Sequence, residues 1–154
     1  MSKVKKIMVA VDFSEYSIAA AQYAAELASD VDATLLLTNV INQRDVDLME
    51  IAVKRVAVFS VEQYLEEQVE KRNKQFVKLE KKLNLDNLKV QSNVRIGVPF
   101  REILLEIKVH KPDMLVVGRK GNSNLADIVI GSCAHKLFRR CPIPFLTIQG
   151  DQTL

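Results

Sequence analysis

Tryptophan is absent from this 154-residue chain, and cysteine (two), proline (four) and glycine (five) are scarce. So little proline and glycine excludes collagen-like or low-complexity chains, and 48% hydrophobic content supplies enough material for one globular core. Two cysteines cannot staple a disulfide scaffold. Cys133 and Cys141 are eight positions apart on one expected helix, roughly 12 Å at 1.5 Å per residue, whereas a disulfide needs Cα atoms within about 7 Å. They are expected to be free, with Cys141 packing and Cys133 occupying a small backbone-donor position. No apolar run approaches the ~18 residues of a membrane span. Met1 and Ser2 lead through lysines straight into an apolar segment, leaving no room for a signal peptide; a cytoplasmic chain is expected. A net charge of +3 is too mild to argue for nucleic acid, so neither nucleic acid nor membrane is an expected partner. His110 and His135 have no suitably spaced metal-ligating neighbours and read as ordinary loop and helix-surface residues. No Ser/His/Asp arrangement stands out. The P-loop pattern and Gly-x-Gly-x-x-Gly are both missing.

What is present is a regular alternation. Short apolar runs at 6–11, 33–40, 88–96, 114–117 and 143–149 read as strands covered on both faces. Between them, 15–29, 61–83, 100–109 and 133–140 read as helices. Ser14 is the candidate cap of the first, and Pro99 fits the first turn of the third. The 41–58 segment mixes turn residues with a short helix over 46–58. Helix 61–83 carries an apolar stripe (Leu65, Val69, Phe76, Leu79, Leu83) opposite a solvated charged face. Pro144 cannot donate to a ladder from mid-sheet, so the last strand belongs at an edge.

This order predicts one α/β domain over 1–154: a Rossmann-like three-layer sandwich with a five-stranded parallel sheet ordered 3-2-1-4-5. Ligands of such folds bind where the winding reverses, outside the carboxyl ends of the two central strands. Those ends are Val11-Asp12 and Val117-Gly118, which brings Asp12 beside the loop after Gly118.

That loop is the most informative stretch. From Gly118 it runs through Arg119, Lys120 and Gly121 to Gly131-Ser132 and a helix start at Cys133. Strand, glycine-bearing loop and helix N-terminus are the parts of an anion site, because exposed amides and the helix dipole favour negative charge. Gly118 is expected to let a ligand approach, Gly121 to take positive φ, and Gly131 to clear the entrance. Ordinary turn glycines with a Ser132 cap explain the residues equally well. Asp12 has an equally plain reading as part of the cap of the first helix.

The spacing Gly118, two residues, Gly121, nine residues, Gly131-Ser132 resembles the nucleotide signature of the universal stress protein family, ATP-binding branch. Asn124-Leu125 sits where such loops often carry that pair. Asp12-Phe13-Ser14, Gly97-Val98-Pro99 and the closing Cys141-Pro142-Ile143-Pro144 run resemble other parts of the family pattern. One departure is Phe13, where a small residue more commonly follows the Asp.

The resemblance implies ATP or AMP as ligand, with Mg or Mn on the phosphates. The Val40 backbone would hold adenine, and Val11 and Val117 would line the site. Asp12 would lie near the ribose or metal. Gly118, Lys120, Gly121, Gly131, Ser132 and Cys133 would surround the phosphates. It also implies a homodimer through the last strand, which begins at Ile143 and finishes with Gln149. Three readings stay open: a nucleotide-binding stress-response regulatory protein, an interaction module with a vestigial site, and a slow ATPase. The last finds no general base and no His-x-Gly-His motif, so catalytic residues are expected to be none.

Overall fold

The computed structural model describes residues 3–55, 60–120 and 130–150. The chain runs β1 (Lys6–Ala10), α1 (Glu15–Val31), β2 (Thr34–Asn42), α2 (Gln43–Arg55), α3 (Val61–Lys82), β3 (Val90–Gly97), α4 (Pro99–His110), β4 (Met114–Gly118), α5 (Ser132–Arg140) and β5 (Phe145–Ile148). All pairings are parallel in the order β3-β2-β1-β4-β5, the expected topology.

Period-two alternation sorts the sheet's side chains into two cores. Ile7, Val9, Leu35 and Leu37 face α1 and α3, where Ala20, Ala21, Ala24 and Ala28 let α1 lie flat on the sheet and Phe76 and Leu79 close the layer. Met8, Leu36, Leu115 and Val117 face Ile103 and Ile107 of α4 and Ala134 and Leu137 of α5. Each fully buried aliphatic side chain stabilises the fold by about 1.5–3 kcal/mol.

Local chemistry sets the helix starts. Ser14 caps α1, its Oγ accepting from Ser17 N–H at 3.2 Å. Ser60 and Gln63 form a capping box on α3. The 41–58 segment differs from expectation. β2 continues to Asn42, and α2 starts at Gln43 instead of Val46. Asn42 Oδ1 accepts from Arg44 N–H at 3.1 Å, so a residue read as turn serves the helix start. β5 is an edge strand that begins just after Pro144.

His110 also differs from expectation: it ends α4 and is tied to a buried acid. Glu106, 3% exposed, accepts from Asn93 Nδ2 and meets Arg95 Nε at 3.3 Å and His110 Nε2 at 3.0 Å. These contacts fasten α4 to the outermost strand, β3.

Candidate functional site

The two central strands end together. Ala10 of β1 is in register with Val117 of β4 on one side and Thr38 of β2 on the other. Val11 N–H still donates to Thr38 O at 2.8 Å, after which the chain leaves the sheet. β2 runs on past that point. Thr34 N–H bonds Lys5 O on the β1 side, whereas Leu35 N–H bonds Lys89 O on the β3 side. By the same alternation the N–H and C=O of Val40 face the β1 side, beyond the last β1–β2 register pair. Its side chain joins Ala10, Val117 and Cys133 in the core on the α4–α5 face.

Asp12 sits at this edge. Its Oδ1 accepts from Ser14 N–H at 2.9 Å and its own N–H donates to Ser17 Oγ at 3.2 Å. The carboxylate therefore helps shape the entrance of α1, as its plain reading required, and it also reaches the fifth helix. The Cys133 thiol is pushed up to about 11, first by burial and then by the Asp12 charge, with Lys136 pulling the other way. Asp12 and the first turn of α5 thus share one electrostatic neighbourhood. A thiol so raised stays protonated at neutral pH and is no nucleophile. Phe13 adopts φ 63°, unusual for a bulky residue. Its ring swings away from this edge to meet Phe76 edge-to-face at 5.0 Å.

The two ends of the loop after β4 meet. Arg119 N–H bonds Ile148 O at 2.8 Å, and Gly131 N–H bonds Arg119 O at 2.9 Å. That second bond brings the start of α5 to the end of β4. It also consumes the Gly131 amide, so this glycine offers no free donor to an anion. Gly131 is the N-cap of α5, and Ser132 is the first helical residue instead of the cap. Among the described residues no side chain caps the helix, and its first turn holds no acid, so the amides of Ser132 and Cys133 begin the positive end of the helix.

Gly118 has a packing reason that the sequence did not reveal. A Cβ there would stand 2.7 Å from Tyr16 C and 2.8 Å from Tyr16 O on α1. The missing side chain makes room for helix α1. Lys120 Nζ lies 5.0 Å from the centre of the Tyr16 ring, a cation–π distance. Gly121, Asn124 and Leu125 lie outside the described residues.

Two polar residues escaped sequence reading. Asn39, 4% exposed, donates through Nδ2 to Val11 O at 2.7 Å and pins the end of β1. Thr38 is 1% exposed, and its Oγ1 has no hydrogen-bond partner among the described residues. The available signal was a polar pair inside an otherwise apolar strand.

A parallel sheet in this order, with an anion-compatible helix start at its switch point, defines the Rossmann-like class whose ligand site lies at the carboxyl edge. The sequence matches the model of the Universal stress protein family over residues 3–149, and the chain belongs to that family. Universal stress protein MJ0577 of Methanocaldococcus jannaschii is 24% identical over 153 residues, covering 94% of each chain. The solved structure of MJ0577 superposes with a TM-score of 0.83 at 21% identity, covering 99% of this chain and all of that one. A universal stress protein solved with cAMP gives 0.65 at 19% identity, covering 96% and 98% of the two chains. One from Archaeoglobus fulgidus solved with dAMP gives 0.64 at 14%, covering 96% and 100%.

Proposed function

We propose that this chain is a stress-response regulatory protein that binds ATP or AMP, signals through the occupied state, and hydrolyses slowly or not at all. The observation that carries the reading is a convergence at one sheet edge. The Val40 backbone faces past the end of β1, the Asp12 charge is felt at Cys133, and α5 opens on a glycine N-cap with no side-chain cap among the described residues. The cAMP and dAMP complexes of similar proteins support it.

In this reading Val40 presents one donor and one acceptor to the adenine edge, with Val11 and Val117 as apolar lining. Asp12 accepts from ribose hydroxyls or meets a divalent ion, Mg or Mn, carried on the phosphates. Among the described residues no group of three or more His, Cys, Asp or Glu is placed to hold a metal without the nucleotide. The bound nucleotide supplies the negative charge that the start of α5 attracts, at the amides of Ser132 and Cys133. Gly118, Gly121 and Gly131 shape the loop around it, and Lys120 exchanges Tyr16 for a phosphate oxygen.

Ligand at a hundredfold excess over Kd stabilises by about 2.7 kcal/mol, which raises Tm by roughly 5–10 °C for a chain of this size. Gly131→Asp is the discriminating variant. Aspartate is a good N-cap, so the apo protein keeps or slightly gains stability, while a carboxylate now occupies the anion position. ATP with Mg should stabilise wild type and not the variant. An equal shift in both, or none in wild type, refutes the assignment.

The homodimer belongs to the same proposal. Pro144, just before β5, and Ile148 accept from Leu115 and Arg119 N–H, so by alternation Phe145 and Thr147 turn their backbone groups to the open edge, where a second copy can pair.

A further inference from the structure

One layer of this molecule carries an excess of exposed positive charge. Arg101, Lys108 and Lys111 on or ending α4, and Lys136, Arg139 and Arg140 on α5, are all exposed. Six cations thus stand on one layer of a chain whose net charge is only +3. The two carboxylates of the same elements turn elsewhere: Glu102 and Glu106 both pair with Arg95 of β3, at 3.5 and 3.3 Å. Three of the cations crowd a single ring. Lys136, Arg140 and Arg101 lie 5.0, 5.1 and 5.6 Å from the centre of Phe100. Such contacts hold like charges together on a weak anchor. α3 offers the contrast, with both signs interleaved as in the Glu70–Lys74 pair.

Apolar side chains stand among these cations. Val109 is 70% exposed, Phe138 69% and Leu105 47%. Arg101, Leu105 and Val109 follow one another at four-residue spacing along one stripe of α4. A basic face carrying exposed aliphatic residues matches the interfacial region of an anionic bilayer, where the cations meet headgroups and the apolar groups enter the acyl boundary.

We infer that the outer face of the α4–α5 layer docks reversibly on membranes rich in anionic phospholipid. Nucleic acid fits the same charge less well. Leu105 and Val109 cannot stack on bases, the Phe100 ring is already engaged by cations, and the Phe138 ring is engaged edge-to-face by Phe145. If β5 edges pair antiparallel, the two-fold axis stands normal to the sheet, so both α4–α5 layers look the same way and the face doubles. That doubling rests on the dimer reading; the face of one copy does not.

The test is co-sedimentation of the full chain with vesicles of phosphatidylcholine alone or with about a third phosphatidylserine. Binding is expected only to the anionic vesicles and should weaken as salt rises. Arg101→Gln/Arg140→Gln should bind roughly 30-fold more weakly, about fivefold for each basic residue withdrawn. Val109→Asp, at a position too exposed to disturb folding, should lose vesicle binding as well. Equal binding to both vesicle types, no binding to either, or retention on a single-stranded oligonucleotide in preference to anionic vesicles each overturns the inference.

Discussion

Replacing Gly118 by alanine separates two accounts of the same glycine. If the position is empty for the sake of α1, the cost appears in the apo protein. The added Cβ would lie 2.7, 2.8 and 2.9 Å from Tyr16 C, O and Cβ, at least about 0.5 Å inside ordinary contact at 3.4 Å. Two of those atoms are helix backbone, which cannot rotate away, and α1 is seated on the sheet through fully buried Ala20, Ala21, Ala24 and Ala28. Overpacking of this kind costs about 1–3 kcal/mol, and the rigid obstacle places Gly118→Ala toward the upper end. For a domain of about 150 residues each kcal/mol moves Tm by about 2–4 °C, so a fall of roughly 4–12 °C is expected without nucleotide. Urea unfolding should show a lower midpoint with an unchanged m-value, since the surface exposed on unfolding is the same. An unaltered apo Tm, together with a tenfold or greater loss of nucleotide affinity, would refute the packing account and return Gly118 to the ligand.

Cys133 makes a pH prediction. Its thiol is raised from 9.0 to about 11, so the folded chain holds that proton more tightly than the unfolded chain. The stabilisation is complete below about pH 9 and is lost as pH rises toward 11. Urea midpoints of wild type should fall more steeply across that window than those of Cys133→Ala; parallel curves would contradict the assignment. Glu106→Ala should cost about 2 kcal/mol, measured by urea unfolding, because it strips a buried acceptor from Asn93, a counter-charge from Arg95 and the contact to His110. The half-exposed Arg95 moderates that loss, and a change under 0.5 kcal/mol would show that the cluster contributes nothing net. Thr147→Pro removes an edge donor while leaving the bonds of β5 to β4 in place. Light scattering should give a dimer for wild type and a monomer for the variant; equal masses would end the β5 reading.

Much of the fold was legible before any coordinates, because its signals are local. Apolar runs of strand length, helical periodicity and a proline at the entrance to β5 act within a few residues, and alternation with right-handed crossovers leaves few topologies. The 118–133 spacing was equally visible, since glycine, serine and basic residues carry their chemistry with them. Boundaries around 41–46 were not, because Asn42 is turn-like by composition and works as a helix cap only through the bond it makes to Arg44.

By itself the sequence determined the order of elements, the two-sided burial of the central strands and the place where the winding reverses. Only the tertiary structure decided what each residue at that place faces. It turned the bare side of Gly118 to Tyr16, spent the Gly131 amide on Arg119, sent the Phe13 ring to Phe76 and put Asp12 within electrostatic reach of Cys133. It also gathered six cations onto one layer of a nearly neutral chain. The reason is physical: propensity and periodicity act between near neighbours, whereas contact and field depend on segments far apart in sequence that meet only when the sheet closes.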